Sequence, residues 1–374
     1  MTVAFNRPTV TGKELDYIRE ALDSAHVAGN GAFTRRCNDW LAARTGAKRA
    51  FLTHSGTAAL EMAALLCGIG PGDEVVMPSF TFVSTANAVA LRGATPVFVD
   101  IRPDTLNIDE TAIEAALTTR TKAICVVHYA GIACAMDAIA PLARRRGVRL
   151  IEDAAQALCS SYRGRPLGGF GDFAAVSFHE TKNFISGEGG ALLVNDSGAV
   201  ARAETIWEKG TDRGRFFRGE VDKYTWQDLG SSFLPSDMIA AFLWAQLEQA
   251  AALLTRRAAL WHRYHDGFAA LETRGAVRRP VVPAGCEHNA HLYYLLLPDR
   301  AARDRLLNGL RAAGIQAPFH YVPLHSSPAG RKFGRSVGEL AVTDDIAGRL
   351  LRMPLWHDMK DEPDRVIDMV YALL

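Results

Sequence analysis

Residues 177–190 read SFHETKNFISGEGG, and this stretch contains the lysine around which the rest of the chain can be arranged. It follows an apolar, strand-like segment, FAAV at 173–176, and ends in the glycine-rich sequence GEGG at 187–190. Lys182 is therefore expected at the end of a strand, in a loop whose glycines allow another backbone to come close. A lysine amine can condense with a carbonyl group when its ammonium is easily deprotonated. Lys182 is a candidate for that chemistry.

An upstream carboxylate makes this interpretation specific. Residues 148–153 read VRLIED, a buried-strand pattern that ends in acid. Taken alone, Lys182 would be an ordinary solvated loop residue. An acid ending one core strand and a lysine ending a later one are what a pyridoxal phosphate site requires. The lysine forms a Schiff base, and the acid keeps the pyridine nitrogen protonated. We therefore predict that Lys182 and Asp153 are catalytic and that pyridoxal 5'-phosphate is the cofactor.

Composition excludes several other classes of protein. The chain has 374 residues, of which 48% are apolar and 22% charged, as in ordinary soluble enzymes. Its net charge of +1 predicts no nucleic-acid or membrane-surface partner. The sequence shows no signal peptide and no apolar window long enough to span a bilayer. Six cysteines without a C-x-x-C pair predict neither disulfides nor a metal site. A cytoplasmic location is expected.

The first two thirds of the chain alternate between apolar strands and amphipathic helices. This pattern predicts an α/β fold with a mostly parallel sheet covered by helices. In such sheets ligands bind at the carboxyl ends of the strands. The turn Ser55-Gly56-Thr57, His128, Asp153 and Lys182 all fall at such ends. The Ser-Gly-Thr turn opens a helix and offers free N–H groups to an anion, so it is the predicted phosphate cup.

The last third predicts a smaller domain. Residues 236–256 indicate one long helix, followed by a strand at 293–297, a helix at 301–313 and a strand-like segment at 315–319. We place a large domain at 1–245 and a small C-terminal α/β domain at 246–374. Before the long helix, the loop 209–226 is basic and aromatic, and its Arg218 is a candidate for contacts with a diphosphate.

These motifs resemble the DegT/DnrJ/EryC1/StrS family of sugar-nucleotide aminotransferases, which are fold type I pyridoxal phosphate enzymes. The resemblance extends over almost the whole chain. It is carried by SGT at 55–57, PSFTFVSTANAV at 78–89, GATPVFVDI at 93–101, IEDAAQ at 151–156, SFHETKN at 177–183, GEGG at 187–190 and HYVPLH at 320–325.

Three further segments resemble one subgroup of that family. They are VDIRPDTLNIDE at 99–110, VVHYAG at 126–131 and FFRGEVDKYTW at 216–226. Members of this subgroup use L-glutamate to aminate dTDP-4-dehydro-6-deoxyglucose, giving dTDP-4-amino-4,6-dideoxygalactose. The resemblance thus implies that substrate pair, a role in surface polysaccharide synthesis, and a homodimer with shared active sites.

The resemblance also implies roles for individual residues. Phe82 would lie flat on the cofactor ring, and Gln156 would bind the ring's phenolic oxygen. Ser232 occupies the place of an asparagine that reaches the partner subunit's phosphate in relatives. The full predicted cofactor set is Ser55, Gly56, Thr57, Phe82, Asp153, Gln156, Ser177, Lys182 and Ser232. The predicted substrate set is His128, Glu188, Arg218, His320, Tyr321 and His325.

Other functions stay open at this stage. The acceptor could be another dTDP-, UDP- or GDP-linked ketosugar, aminated at C3 or C4. A pyridoxal-dependent sugar 3-dehydratase is disfavoured because those relatives carry histidine in place of Lys182. A nicotinamide dehydrogenase is disfavoured because no G-x-G-x-x-G motif follows the first strand. A binding protein without catalysis would not need both Asp153 and Lys182.

Overall fold

The structure is a computed structural model that describes residues 2–374. The alternating pattern of the sequence forms strands and helices in the predicted order. The strands are β1 (Arg49–Thr53), β2 (Glu74–Pro78), β3 (Thr95–Val99), β4 (Thr121–Val127), β5 (Arg149–Asp153), β6 (Ser161–Tyr162), β7 (Arg165–Pro166), β8 (Phe173–Ser177), β9 (Gly190–Val194), β10 (Cys286–Glu287), β11 (Tyr293–Leu296), β12 (Arg335–Ser336) and β13 (Leu350–Met353).

The helices surround these strands. They are α1 (Glu14–Asp23), α2 (Ala32–Thr45), α3 (Gly56–Leu66), α4 (Val83–Ala90), α5 (Glu110–Ala116), α6 (Met136–Arg146), α7 (Val200–Trp207), α8 (Arg213–Phe217), α9 (Asp237–Glu248), α10 (Ala250–Gly267), α11 (Ala269–Thr273), α12 (Arg300–Ala312), α13 (Pro328–Phe333), α14 (Ala341–Arg349) and α15 (Glu362–Leu373).

Eight strands form one large sheet in the order β1-β9-β8-β5-β4-β2-β3-β12. Every neighbouring pair from β8 to β12 is parallel, and only β9 runs antiparallel to both of its neighbours. The predicted mostly parallel sheet is confirmed. β9 reverses because no helix connects it to β8, and a parallel return needs a long crossover. The carboxyl ends of the other seven strands consequently share one edge.

The sheet is buried on both faces, as uninterrupted apolar strands require. Successive residues of a strand contact opposite layers of helices: Leu52 and Val126 lie in the core with α2, α6 and α9, whereas Phe51 and Cys125 lie in the core with α3, α4 and α7. All four side chains are buried. The sheet is therefore a rigid central layer that fixes whatever its loops carry.

The long helix predicted at 236–256 is two helices, which corrects the sequence-based expectation. α9 ends at Glu248, α10 begins at Ala250, and Gln249 between them has non-helical angles of φ −100° and ψ 11°. α9 and the first turn of α10 pack in the core of the large sheet, whereas the later part of α10 packs in the C-terminal core.

The C-terminal part is built on the antiparallel pair β11 and β13, which packs with α10, α12 and α15. The strand-like segment predicted at 315–319 is not a strand; Ile315 only forms a single bridge to Val3. Val3 is buried in this C-terminal core, and β12 returns to pair with β3 of the large sheet. The division at 245/246 stays a proposal.

Within residues 2–374, no single helix is long and apolar enough to cross a membrane. The segments Asp237–Glu248 and Ala250–Thr273 satisfy that test only together, and they are bent by 63° with respect to each other.

Candidate active site

A cavity of about 670 Å³ opens at the shared carboxyl edge of the sheet. Loops of the large sheet form one side, and residues of the C-terminal third form the other. Eleven of the predicted site residues line it: Ser55, Gly56, Thr57, Phe82, Asp153, Gln156, Ser177, Lys182, Glu188, His320 and Tyr321. The tertiary structure thus brings together residues that are separated by more than 250 positions in the chain.

The predicted phosphate cup lies at the start of α3. Ser55 caps the helix, its Oγ accepting the N–H of Ala58 at 3.0 Å. The N–H groups of Gly56 and Thr57 have no hydrogen-bond partner in the described chain. Thr57 Oγ1 is 2.7 Å from Ser84 Oγ, so a second hydroxyl joins the cup. Free N–H groups at a helix start, flanked by hydroxyls, are suited to a phosphate.

A glycine is required at position 190, beside this cup. It pairs in register with Thr53 of β1 and Ser177 of β8. A Cβ at position 190 would lie 2.4 Å from the carbonyl carbon and oxygen of Ser55 and 2.5 Å from Gly56 N. Only glycine leaves that space, so the GEGG sequence allows β9 to lie directly under the cup.

Asp153 ends β5 at the floor of the cavity and is almost completely buried. Its Oδ2 accepts the hydroxyl of Thr85 at 2.7 Å, and its Oδ1 accepts the N–H of Ala155 at 3.2 Å. Burial raises the pKa of Asp153, while Thr85, Ala155 and Lys182 act in the opposite direction. A buried carboxylate in this state is stabilised by a nearby cation, and a protonated pyridine nitrogen would supply one.

Lys182 is half-buried because its side chain faces the cavity. Burial lowers its pKa from 10.5 to about 8; the charge of Asp153 opposes this shift, and that of Arg352 adds to it. A substantial fraction of the amine is therefore neutral near physiological pH, which nucleophilic attack on an aldehyde requires. Asp153 and Lys182 line the same cavity and are close enough to influence each other's pKa.

A chain of polar and aromatic contacts forms the C-terminal wall. Gln156 Nε2 donates to the Tyr321 hydroxyl at 2.7 Å, and its Oε1 accepts the N–H of Ala130 at 2.7 Å. The rings of His320 and Tyr321 stack with 3.7 Å between centroids. His320 Nδ1 is in turn 2.6 Å from the Tyr129 hydroxyl. Burial keeps the pKa of His320 well below its usual value, so this ring is neutral.

Two predicted residues lie at the mouth of the cavity. Phe82 precedes α4 and is 57% exposed, so its ring is free to cover a planar ligand. Glu188 has a side chain that is 71% exposed, and its Oε1 lies 3.7 Å from His179 Nε2. Both positions are compatible with the predicted roles, which stay proposals.

Four predicted residues do not line the cavity. His128 is completely buried and bonds Glu152 at 2.9 Å, and His325 bonds Ser79 at 2.8 Å. Both rings therefore hold parts of the scaffold together, because their polar atoms already bond other residues of the protein. Arg218 pairs with Glu204 and Glu220 on an exposed loop, and Ser232 is also exposed. Neither Arg218 nor Ser232 lines the cavity of its own chain.

Several lining residues were not identified from the sequence. Ser84 follows Phe82 within the segment 78–89, so that motif was a usable signal. Thr85, in the same segment, lies behind the cavity surface and bonds Asp153. His291 and Arg352 carry no local signal, because they reach the site only when the C-terminal part folds over it. His291 Nδ1 bonds Asn183 Oδ1 at 2.9 Å, and since the Asn183 amide donates to Asn289, the ring must carry its proton on Nδ1.

The donor set as a whole fits pyridoxal phosphate. It combines a partly neutral lysine, a buried carboxylate, and a phosphate cup at a helix start, all on one sheet edge. The fold and cavity define a pyridoxal phosphate-dependent aminotransferase. Comparison with known proteins then places the chain within that class: it belongs to the DegT/DnrJ/EryC1/StrS aminotransferase family, whose family model matches residues 8–371.

Individual relatives agree with this assignment. The chain is 36% identical to GDP-perosamine synthase of Caulobacter vibrioides over 86% of its own length and 85% of that protein. It is 33% identical to the spore coat polysaccharide biosynthesis protein SpsC of Bacillus subtilis, over 99% and 95% of the two chains. The aminotransferase TlmJ of Streptoalloteichus hindustanus superposes with a TM-score of 0.91 at 33% identity, over 100% and 98%. The protein is therefore a sugar aminotransferase.

Proposed function

We propose that the protein transfers the amino group of L-glutamate to the keto carbon of a nucleotide-linked 4-keto-6-deoxy sugar, for surface polysaccharide synthesis. The proposed acceptor is dTDP-4-dehydro-6-deoxy-D-glucose, and the product is dTDP-4-amino-4,6-dideoxy-D-galactose. The observation that carries the chemistry is the placement of half-buried Lys182 and buried Asp153 in one cavity. The choice of acceptor is supported by the subgroup segments at 99–110, 126–131 and 216–226.

Individual residues of the chain have separate roles in the proposed transamination. Bound pyridoxal phosphate supplies an aldehyde that receives the amino group and a ring that withdraws electrons. Lys182 Nζ takes a proton from the donor's Cα, and returns a proton to the sugar carbon when the acceptor is aminated. Asp153 would hold the ring-nitrogen end of the cofactor, and its negative charge would keep that nitrogen protonated. Gly56 and Thr57 would hold the phosphate through their free N–H groups.

A GDP-linked ketosugar is the second candidate acceptor. The relative from Caulobacter vibrioides is named for GDP-perosamine, and it matches most of this chain. The lyase alternative, a sugar 3-dehydratase, is disfavoured by Lys182.

A substrate panel tests the acceptor. The holoenzyme is incubated with glutamate and dTDP-, UDP- or GDP-linked 4-ketosugars, and the C4 configuration of each product is determined by NMR. The dTDP substrate should give the highest kcat/KM and a galacto-configured amine. A clear preference for GDP would replace the proposed acceptor with the second candidate.

A separate experiment tests the proposed catalytic role of Lys182. Lys182→Ala should abolish turnover and the absorption band of the lysine-linked cofactor, because no other amine can form that link. Lys122→Ala is the matched control, since Lys122 is exposed and pairs only with Asp73. Turnover by Lys182→Ala would overturn the assignment.

We also propose a homodimer with shared active sites, in which Arg218 and Ser232 serve the partner's cavity. Both residues are exposed and lie away from the cavity of their own chain. Lys182→Ala and Arg218→Glu chains, each inactive as homodimers, should regain activity when they form mixed dimers. Absence of recovery in verified mixed dimers would contradict a shared site.

A further inference from the structure

Asn289 connects three separate segments behind the cavity, although it does not line the cavity itself. It is buried and lies just before β11 in the C-terminal part. Its Nδ2 donates to Gln156 O at 2.9 Å and to Leu158 O at 3.0 Å, and its carbonyl accepts Asn183 Nδ2 at 2.7 Å. Residues 156–158 follow β5, and Asn183 adjoins Lys182. One residue therefore joins the turn after β5, the lysine loop and the C-terminal part.

The Asn289 amide can face these carbonyls in only one orientation. Backbone carbonyls accept and never donate, so Nδ2 must point at Gln156 O and Leu158 O. Oδ1 consequently points at Gly131, where an added Cβ would lie 2.2 Å from it. In the described part of the chain, residues 2–374, this buried oxygen has no hydrogen-bond partner. An unpaired buried oxygen costs free energy, so the side chain is held in place by its two donated bonds.

Asn183 completes the connection on the lysine side. It is buried, and besides donating to Asn289 O it accepts the Nδ1–H of His291 at 2.9 Å. Arg257 of α10 donates to the carbonyl of His291 and, at 2.8 Å, to that of the preceding residue. The residue next to Lys182 is thus bound to a segment that is itself anchored on α10.

The connection through Asn289 has no direct alternative. Among residues 2–374, no hydrogen bond joins residues 154–160 directly to residues 179–189. The N–H of Asn289 also donates to Ser160 Oγ at 3.0 Å, so both its backbone and its side chain hold the turn after β5. The spacing between this turn and the lysine loop therefore depends on Asn289.

We propose that Asn289 is a positioning residue that sets the place of the Lys182 amine relative to Gln156. This proposal rests on the function proposed above, in which Lys182 links to the cofactor aldehyde and Gln156 binds the phenolic oxygen. Pyridoxal phosphate carries these two groups on neighbouring ring carbons, so the amine and the amide have to be spaced to match. Asn289 bonds the backbone of Gln156 and the neighbour of Lys182. The attack of an amine on an aldehyde depends steeply on such placement.

Two ligands separate the placement of Lys182 from the binding of the cofactor. Pyridoxal phosphate attaches to the lysine of the apoenzyme, whereas pyridoxine 5'-phosphate has the same ring and phosphate but no aldehyde, and binds without attachment. In Asn289→Ala, the attachment rate measured by stopped-flow absorbance should fall roughly 10- to 100-fold, because the amine is misplaced. The dissociation constant of pyridoxine phosphate, measured by calorimetry, should stay close to that of the unmodified chain. The pH midpoint of attachment should stay near the Lys182 pKa of about 8, to which Asn289 does not contribute.

A second variant breaks the connection at its other end. Asn183→Ala should slow attachment by a similar factor, again without weakening pyridoxine phosphate. The double variant Asn183→Ala/Asn289→Ala should be about as slow as the slower single variant, because both changes break one connection. If Asn289→Ala does not fold, Asn183→Ala is compared with the unmodified chain on the same two ligands.

Asn195→Ala is the matched control. The Asn195 amide also donates to two backbone carbonyls, those of Gly168 at 2.9 Å and Gly171 at 2.8 Å. It follows β9 at the opposite edge of the sheet and does not line the cavity. Asn195→Ala should lower the free energy of unfolding, measured by chemical denaturation, and leave the attachment rate unchanged. This comparison separates positioning from a general loss of stability.

Three results would overturn the proposal. They are an unchanged attachment rate in Asn289→Ala, an equal loss for both ligands, and a double variant whose loss is the product of the two single losses. Failure of the unmodified chain to attach pyridoxal phosphate through Lys182 would instead refute the proposed function.

Discussion

The Thr85 hydroxyl donates a 2.7 Å hydrogen bond to Oδ2 of Asp153, joining the first turn of α4 to the end of β5. This bond lies on the cavity floor, where burial raises the pKa of Asp153 and Thr85 counteracts the shift. Thr85 is itself buried, and its Oγ1 lies 2.8 Å from Thr81 Oγ1. The negative charge predicted to face the cofactor is thus stabilised by a residue in the first turn of α4, the helix that follows β2.

Thr85→Val should weaken cofactor binding roughly 10- to 100-fold, because a hydrogen bond to a charged group contributes about 1.5–3 kcal/mol. Thr85→Ser keeps the hydroxyl and should stay close to wild type. Titration of the apoenzyme with pyridoxal phosphate measures the difference. Equal affinity in the valine and serine variants would show that Thr85 does not support Asp153.

The lowered pKa of Lys182 predicts how cofactor attachment depends on pH. Only the neutral amine attacks an aldehyde, so the rate of attachment to the apoenzyme should rise with pH and level off above about 8, rather than above the ordinary lysine value of 10.5. In Asp153→Asn the midpoint should move lower, because the Asp153 charge raises the pKa of Lys182. Stopped-flow absorbance measures both profiles. A midpoint near 10 in the unmodified chain would contradict the environment described for Lys182.

Gly190→Ala should destabilise the protein and weaken phosphate binding together. The added Cβ would lie 2.4 Å from backbone atoms of Ser55, which can move only if β1 and the start of α3 move as well. We expect a loss of about 1–3 kcal/mol in the free energy of unfolding, typical of overpacking. Gly70→Ala is the control, because a Cβ there meets no atom within 4 Å. Chemical denaturation and cofactor titration measure the two effects. Equal behaviour of the two variants would refute the proposed steric requirement.

His128→Gln tests whether His128 contacts substrate or supports the fold. Its ring bonds the buried carboxylate of Glu152, which also accepts the N–H groups of Gly168, Phe170 and Gly171. Breaking a buried pair costs about 3 kcal/mol or more, so the free energy of unfolding should fall while the KM for ketosugar stays unchanged. Denaturant titration and steady-state kinetics measure the two quantities. His262→Gln, at an exposed position, should change neither. A raised KM without loss of stability would restore the predicted substrate role.

The order of the elements, and the edge of the sheet at which the site lies, can be predicted from the pattern of apolar residues along the chain. Alternating apolar strands and helices impose parallel pairing, and parallel pairing brings strand ends such as Asp153 and the loop of Lys182 to one side. The reversal of β9 was also within reach, since no helix separates it from β8.

Which polar side chains face the cavity could not be predicted in this way and depends on how distant segments pack. His128 and Asp153 both end strands of the sheet, yet one turns into the scaffold and the other into the site. Arg352 reaches the cavity from β13, and nothing in its neighbourhood along the chain marks it. The physical reason is that periodicity specifies which face of an element is buried. The partner of a polar group at the end of an element depends instead on segments that arrive from distant parts of the chain.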